Sequence, residues 1–154
     1  MEERAAQKTK AIAYITSGDR LLVFEHTDFP DAGVQVPAGT VEQGESPREA
    51  VLREAREETG LERLRLVRYL GERTFDLQNV GRTGVEQRHF FHLVAEGELS
   101  ETWRHAEMDP SDGSPAPIWF RFYWVSLRGQ MPVLSGDQAA LLGKVWLERA
   151  DSAL

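Results

Sequence analysis

Gly39–Leu61 reads GTVEQGESPREAVLREAREETGL, and its second half carries the strongest helix signal in the chain. Ser46 opens a capping box with Glu49 three residues on, and Pro47 occupies the first helical position, where a missing N–H costs nothing. Gly60 supplies the C-terminal stop. The spacing predicts a helix from Pro47 to about Thr59. On it Glu54, Glu57 and Glu58 stand at i, i+3 and i+4, within an arc of about 100°. Leu52, Ala55 and Thr59 point roughly the other way, with Val51 at the edge. One face is therefore expected to pack while the other presents three carboxylates. Clustered glutamates are usually a solvated face. Here, however, three like charges on adjacent turns repel by a few tenths of a kcal/mol per pair, and hard divalent cations such as Mg²⁺ take oxygen ligands.

Working outward, Ala11–Ile15 and Leu21–Phe24 are short β-leaning runs around Ser17-Gly18-Asp19, which predicts a hairpin. Thr27–Gly33 reads as a loop, and Val34–Val36 as a short strand stopped by Pro37 and Gly39. Beyond the helix, Leu64–Thr74 and Gln87–Ala95 read as strands, and Pro110–Pro117 as a loop. The aromatic run Ile118–Leu127 is expected to be a central strand. Ser135 with Gln138 forms a second capping box, and Leu142, Val145 and Trp146 have the spacing of an amphipathic closing helix. Strands, one embedded helix, more strands and a final helix predict an α/β fold with a mixed sheet flanked by helices. At 154 residues, with 41% hydrophobic and 28% charged, the chain is expected to be one soluble domain, residues 1–154, with residues 1–8 loose.

The full pattern is more specific than the helix. Gly39, five residues, Glu45, seven residues, then Arg53-Glu54-Ala55-Arg56-Glu57-Glu58-Thr59-Gly60-Leu61 resembles the Nudix box throughout. Seven polar or glycine positions fall at the required spacing, an agreement that chance produces in a chain of this length about once in a million. Ala55 stands where a larger aliphatic residue is common; this loosens local packing and leaves the chemistry intact.

The resemblance implies a Nudix-type α/β/α sandwich with a mixed sheet. It implies a Mg²⁺-dependent hydrolase, with Mn²⁺ as a possible substitute, that cleaves a phosphoanhydride bond in a nucleoside diphosphate linked to another moiety. The Gly39 carbonyl and the carboxylates of Glu54, Glu57 and Glu58 would hold the metal. Glycine permits the close backbone approach this requires. Glu45 and Arg53 would fix the loop against the helix through a charge-assisted hydrogen bond. Arg53, Glu54 and Glu57 form the expected catalytic set. The general base would be Glu57 or Glu54, or in some relatives a glutamate on a later loop, for which Glu98, Glu101 and Glu107 lie in a suitable region.

Other residues carry weaker signals. His89 and His92, three apart on a strand, face opposite sides and make a poor metal pair; His26 and His105 complete the set. Trp119, Phe120, Phe122, Tyr123 and Trp124 read first as core, Phe29 as a candidate for base stacking, and Arg82 and Arg88 as candidate phosphate contacts. Val67–Gln78 holds no proline, unlike ADP-ribose-cleaving relatives, and Tyr69 comes too early for the tyrosine of dinucleoside-polyphosphate relatives. The substrate is thus left open beyond a small nucleotide-like molecule.

A formal net charge of −7 argues against nucleic acid as the main partner. No apolar run reaches the roughly 20 residues of a membrane helix, and MEERAAQKTK lacks a signal-peptide core, so a cytoplasmic location is expected. The absence of cysteine removes thiolate ligands and thiol nucleophiles. It also counts against an isomerase on the same fold, which would need cysteine chemistry. A catalytically silent Nudix binding or regulatory module is the remaining alternative, disfavoured by the intact Glu54, Glu57 and Glu58.

Overall fold

A computed structural model describes residues 7–108 and 115–145. The elements follow in the order β1 (Gln7–Ser17), β2 (Arg20–His26), β3 (Ala38–Thr40), α1 (Pro47–Thr59), β4 (Leu64–Asp76), β5 (Val85–Ala95), β6 (Thr102–Glu107) and β7 (Ile118–Ser126). Gly18, at φ 58°, turns β1 into β2, as the hairpin signal predicted. The hairpin then separates. Its two strands pair only at Thr16↔Leu21 and Ser17↔Arg20. Beyond those rungs β1 runs parallel to β5, from Gln7↔Val85 to Thr16↔Val94, while β2 runs antiparallel to β7 along its whole length. The strand order is β4-β5-β1-β2-β7-β6, with β3 paired on β1. A mouth is left where β1 and β2 splay, and β3 fills only its inner part.

Both faces of this sheet are covered, so the central strands are apolar on both sides. Odd residues of β1 (Ala11, Ala13, Ile15) and of β5 (Phe91, Leu93) pack with Phe120 and Phe122 against Ala50, Val51 and Ala55 of α1. Even residues (Ile12, Tyr14, Phe90) pack with Val23 against Leu134, Leu141 and Val145. The period of two that alternates side chains across a strand thus feeds two separate cores. The C-terminal segment is tied down by polar bonds as well. The Tyr14 hydroxyl donates to the Gln138 carbonyl and accepts from the Leu141 N–H, and the Gln138 side chain accepts from the Val36 N–H at 2.8 Å. A mixed α/β sandwich is therefore present, as expected.

Several local expectations need correction. The strand foreseen at Val34–Val36 is two isolated bridges, Phe24↔Gln35 and Val34↔Leu134, and the ladder forms one step later, at Ala38–Thr40. Pro37 does not stop it, because its carbonyl is what β1 needs: it accepts from the Ala13 N–H at 2.8 Å. Gly39 sits inside the strand, opposite Ala11. The aromatic strand β7 lies second from the edge rather than at the centre, since among the described residues the unforeseen β6 alone pairs beyond it. Gln7 and Lys8, expected loose, pair with Val85 and Glu86. Ser135 caps no α-helix. Ser135–Asp137 is a 3₁₀ turn with Gly136 at φ 57°, and the Ser135 hydroxyl donates to the Ala32 carbonyl at 2.7 Å. Residues 142–145 are helical; Trp146 and most of the expected Pro110–Pro117 loop lie outside the described residues.

Candidate active site

The helix α1 starts and stops where the sequence says. The Ser46 hydroxyl accepts from the Glu49 N–H, and Gly60, at φ 78°, returns its N–H to the Arg56 carbonyl. The loop before it is locked by one side chain. The Arg53 guanidinium donates to both oxygens of Glu45, at 2.7 and 2.8 Å, to the Thr40 carbonyl at 3.1 Å, to Glu54 at 2.8 Å and to Glu57 at 3.3 Å. Glu45 in turn accepts from the Glu42 N–H at 3.1 Å. A planar fork with five N–H donors suits this two-sided grip, which lysine cannot reproduce. The hydrogen bonds from Arg53 hold Glu45 down at about 2, and those carboxylates raise the Arg53 pKa in return.

The three glutamates of α1 are not presented alike. Glu57 is exposed, with 60% of its side chain accessible, and leans on Arg53. Glu54 and Glu58 are buried, at 8% and 5% exposure. The reason lies in β3, which the sequence could not place on the helix. A Cβ built on Gly39 would come within 2.0 Å of the Glu54 carboxyl carbon, so the strand backbone rests directly on that carboxylate. Burial raises the pKa of Glu54, with the Arg53 hydrogen bond opposing it. Glu58 is raised further, first by burial and then by the nearby charges of Glu107 and Glu54, while a backbone hydrogen bond from Ala38 works the other way.

Glu107 arrives from β6. That strand docks on the end of α1: the Trp103 indole N–H donates to the Thr59 carbonyl at 2.8 Å, and the His105 Nε2 donates to the Glu57 carbonyl at 2.9 Å. Residues 103, 105 and 107 share one side of the strand, so the same docking brings Glu107 towards Glu58. Both line the cleft at the splay of β1 and β2, together with Lys10, His26, Arg82 and Glu86. Among the described residues no three Asp, Glu, His or Cys side chains converge into a ready-made metal cage. Mg²⁺ does not require one, since it is usually held by one or two carboxylates, several waters and substrate phosphate.

A model of the Nudix domain matches residues 7–134. The chain belongs to the Nudix family. Its fold is shared with a crystal structure of a UDP-X diphosphatase at 20% identity and TM-score 0.59, covering 96% of this chain and 66% of that one, just under two thirds of its length. A MutT Nudix hydrolase from Burkholderia pseudomallei matches at 23% identity and TM-score 0.58, over 91% and 98% of the two chains. A Nudix hydrolase from Nitrosomonas europaea matches at 26% identity and TM-score 0.54, over 79% and 74%.

Within this Nudix domain, some residues singled out from sequence come together and others do not. Gly39, Glu45, Arg53, Glu54 and Glu58 form one cluster, and Glu57 stands at its solvent side. Of the three later glutamates, Glu107 alone lines the cleft; Glu98 is exposed, and Glu101 pairs with Arg20 at 2.7 Å. Arg88 is not placed for a phosphate: it is buried, paired with Glu86 at 2.9 Å, stacked 3.9 Å over the Phe75 ring and bonded to the Gly136 carbonyl. His89 bonds the Tyr69 hydroxyl at 2.9 Å and His92 the Thr16 hydroxyl at 2.8 Å, on opposite faces. Phe29 is 66% exposed, edge-on to His26 at 6.4 Å. Sequence reading missed Lys8, Lys10 and His26. The alternation that runs back from Tyr14 through Ile12 was a signal for the two lysines. No helix among the described residues is long and apolar enough to cross a membrane.

Proposed function

We propose that this Nudix protein is a Mg²⁺-dependent hydrolase that cleaves the phosphoanhydride of a nucleoside diphosphate linked to a further group. The observation that carries this reading is the pair of buried carboxylates, Glu54 and Glu58, one beneath the Gly39 backbone and the other at the wall of a cleft. Burying two like charges side by side is costly unless a cation joins them. Their hard oxygens, with the Gly39 backbone resting on Glu54, fit Mg²⁺ or Mn²⁺. Bound there, the cation supplies neutralisation of the diphosphate charge and activation of water.

The remaining chemistry belongs to the chain. Arg53 is a positioning residue: its hydrogen bonds fix Glu54 and hold Glu57 at the outer side of the same arc, and its fork on Glu45 keeps the Gly39–Gly44 loop closed. Glu107 lines the same cleft as Glu58 and accepts the proton of the attacking water. It is preferred to Glu98 and Glu101 by position. Water attacks one phosphorus, the P–O bond to the bridging oxygen breaks, and a nucleoside monophosphate leaves with a second phosphorylated fragment. Incubation with a panel of nucleoside diphosphate derivatives and triphosphates tests this. Product is expected in Mg²⁺ or Mn²⁺ and none in excess chelator; a panel left intact in Mg²⁺ would favour a silent binding module.

A further inference from the structure

A second hollow lies on the face of the sheet that α1 covers, outside the candidate active site. Its wall is the start of α1, from Ser46 to Arg48, and its floor is Tyr69 of β4 with His89 and Phe91 of β5. None of Gly39, Glu54, Glu58 and Glu107 lines it. Two irregularities in β4 build the floor. The ladder with β5 shifts between Leu66 and Arg68 and again between Tyr69 and Gly71. Regular alternation would send Leu66 and Tyr69, three positions apart, to opposite faces. The first shift instead sets them opposite Leu93 and Phe91, both in the core beneath α1. The second lets Leu70 turn into the other core. Bulges of this kind re-aim side chains beside functional sites. Tyr69 is left 47% exposed, with its ring 5.2 Å from Phe91 and 5.8 Å from His89. Its hydroxyl and the His89 Nδ1 share a hydrogen bond at 2.9 Å. The ring is thus fixed by packing and by its hydroxyl, and it offers the hollow a preset aromatic platform.

Size and charge narrow what the platform takes. The hollow measures about 540 Å³, within the roughly 300–1,000 Å³ of sites that hold a small organic ligand. Arg48 and Arg68 line it, and no Asp or Glu is among the described residues that do, in a chain with 25 acidic residues and a net charge of −7. The catalytic cleft, by contrast, is lined by Glu58, Glu86 and Glu107. A planar base stacks on an aromatic side chain with little regard to its substituents. Guanidinium groups take phosphate or carboxylate oxygens in charge-assisted hydrogen bonds. The ligand that meets both features carries a ring and an anion a short distance apart.

We propose that this hollow is a second, non-catalytic binding site for a planar aromatic ring that carries an anionic group, the chemistry of a nucleoside monophosphate, with the ring on Tyr69 and the anion on Arg48 and Arg68. The site rests on the hydrolase reading only for the source of such a ligand, which is the class of product expected from that reaction. Binding itself does not depend on it.

The test is calorimetric binding of adenosine 5′-monophosphate, adenosine and ribose 5-phosphate in excess chelator, so that no cation bridges ligand and carboxylates in the catalytic cleft. The wild type should bind the monophosphate at least about tenfold more tightly than either fragment, the order that one stacked base or one charge-assisted hydrogen bond supplies. Tyr69→Leu should weaken the monophosphate by about tenfold, and Tyr69→Phe, which keeps the ring, by less than about threefold. Arg48→Gln should weaken it by about threefold or more and leave adenosine unchanged. Both positions are exposed, and far-UV circular dichroism checks the fold of each variant. Glu58→Gln, altered in the other cleft, should bind as the wild type does. No binding by the wild type, or unchanged affinity in folded Tyr69→Leu and Arg48→Gln, would overturn the site. Changed affinity in Glu58→Gln would put the ligand in the catalytic cleft and overturn it equally. So would a wild type that sediments as a dimer and falls to a monomer in Tyr69→Leu, because the face would then be an interface between copies. Binding of this pattern by a protein that hydrolyses no nucleotide would keep the site and remove the hydrolase reading. Turnover without such binding would do the reverse.

Discussion

Glu58→Gln is expected to lower Mg²⁺-dependent turnover by about a thousandfold, which corresponds to several kcal/mol of lost charge stabilisation, and at the same time to raise the melting temperature of the metal-free protein. The second effect follows from burial. Glu58 titrates above its unfolded value of 4.5 in the folded chain, so between the two values the folded state binds more protons than the unfolded one. Stability of the metal-free protein therefore falls as pH rises upward from about 4.5 through the folded pKa, and the loss is complete above it. Glutamine keeps the shape and can still accept from the Ala38 N–H, but it carries no charge to bury. Melting curves in chelator should thus slope down with pH in the wild type and be flatter in Glu58→Gln, with a residual slope from Glu54, which is shifted in the same direction. Mg²⁺ should restore the wild type and leave the variant unchanged. Full activity of the variant, or a lower melting temperature in chelator, contradicts the assignment.

Gly39→Ala should cost about a hundredfold in kcat with a much smaller effect on stability. The new methyl would sit 2.0 Å from the Glu54 carboxyl carbon and 2.3 Å from its Oε2. The Glu54 side chain can move aside, so the fold survives. A displacement of about 1 Å in a reacting constellation is nonetheless enough for a loss of that order. Steady-state kinetics at saturating Mg²⁺ and thermal melts separate the two effects. Unaltered kcat would mean that the approach of Gly39 to Glu54 has no part in the chemistry.

The parts of this molecule that could be read from sequence are those whose determinants are local. Ser46, Pro47 and Gly60 specify the two ends of α1 from within the helix and its two caps, and Gly18 specifies the hairpin. The box was legible for the same reason: Arg53 reaches Glu45, Glu54 and Glu57 without help from any distant segment. What failed depended on partners far along the chain. Gly39 looked like a strand terminator because nothing nearby shows that Ala11 will lie opposite it. Glu54, Glu57 and Glu58 looked equivalent because the helix alone does not say which side β3 and β6 will cover. Glu107 could not be told from Glu98 and Glu101 until Trp103 and His105 docked β6 on the end of the helix. Lys8 fell in a polar stretch that reads as loose, and its pairing with Glu86 of β5 orders it.

Water is expected to attack a phosphorus of a diphosphate linkage at the cluster of Gly39, Glu54 and Glu58. Turnover in ¹⁸O-labelled water, followed by mass measurement of both products, tests it most directly. One labelled oxygen is expected in one of the two phosphorylated products, with no product and no label in excess chelator. Label in neither product while the substrate is consumed would show that no phosphoanhydride is hydrolysed and would overturn the assignment of this cluster.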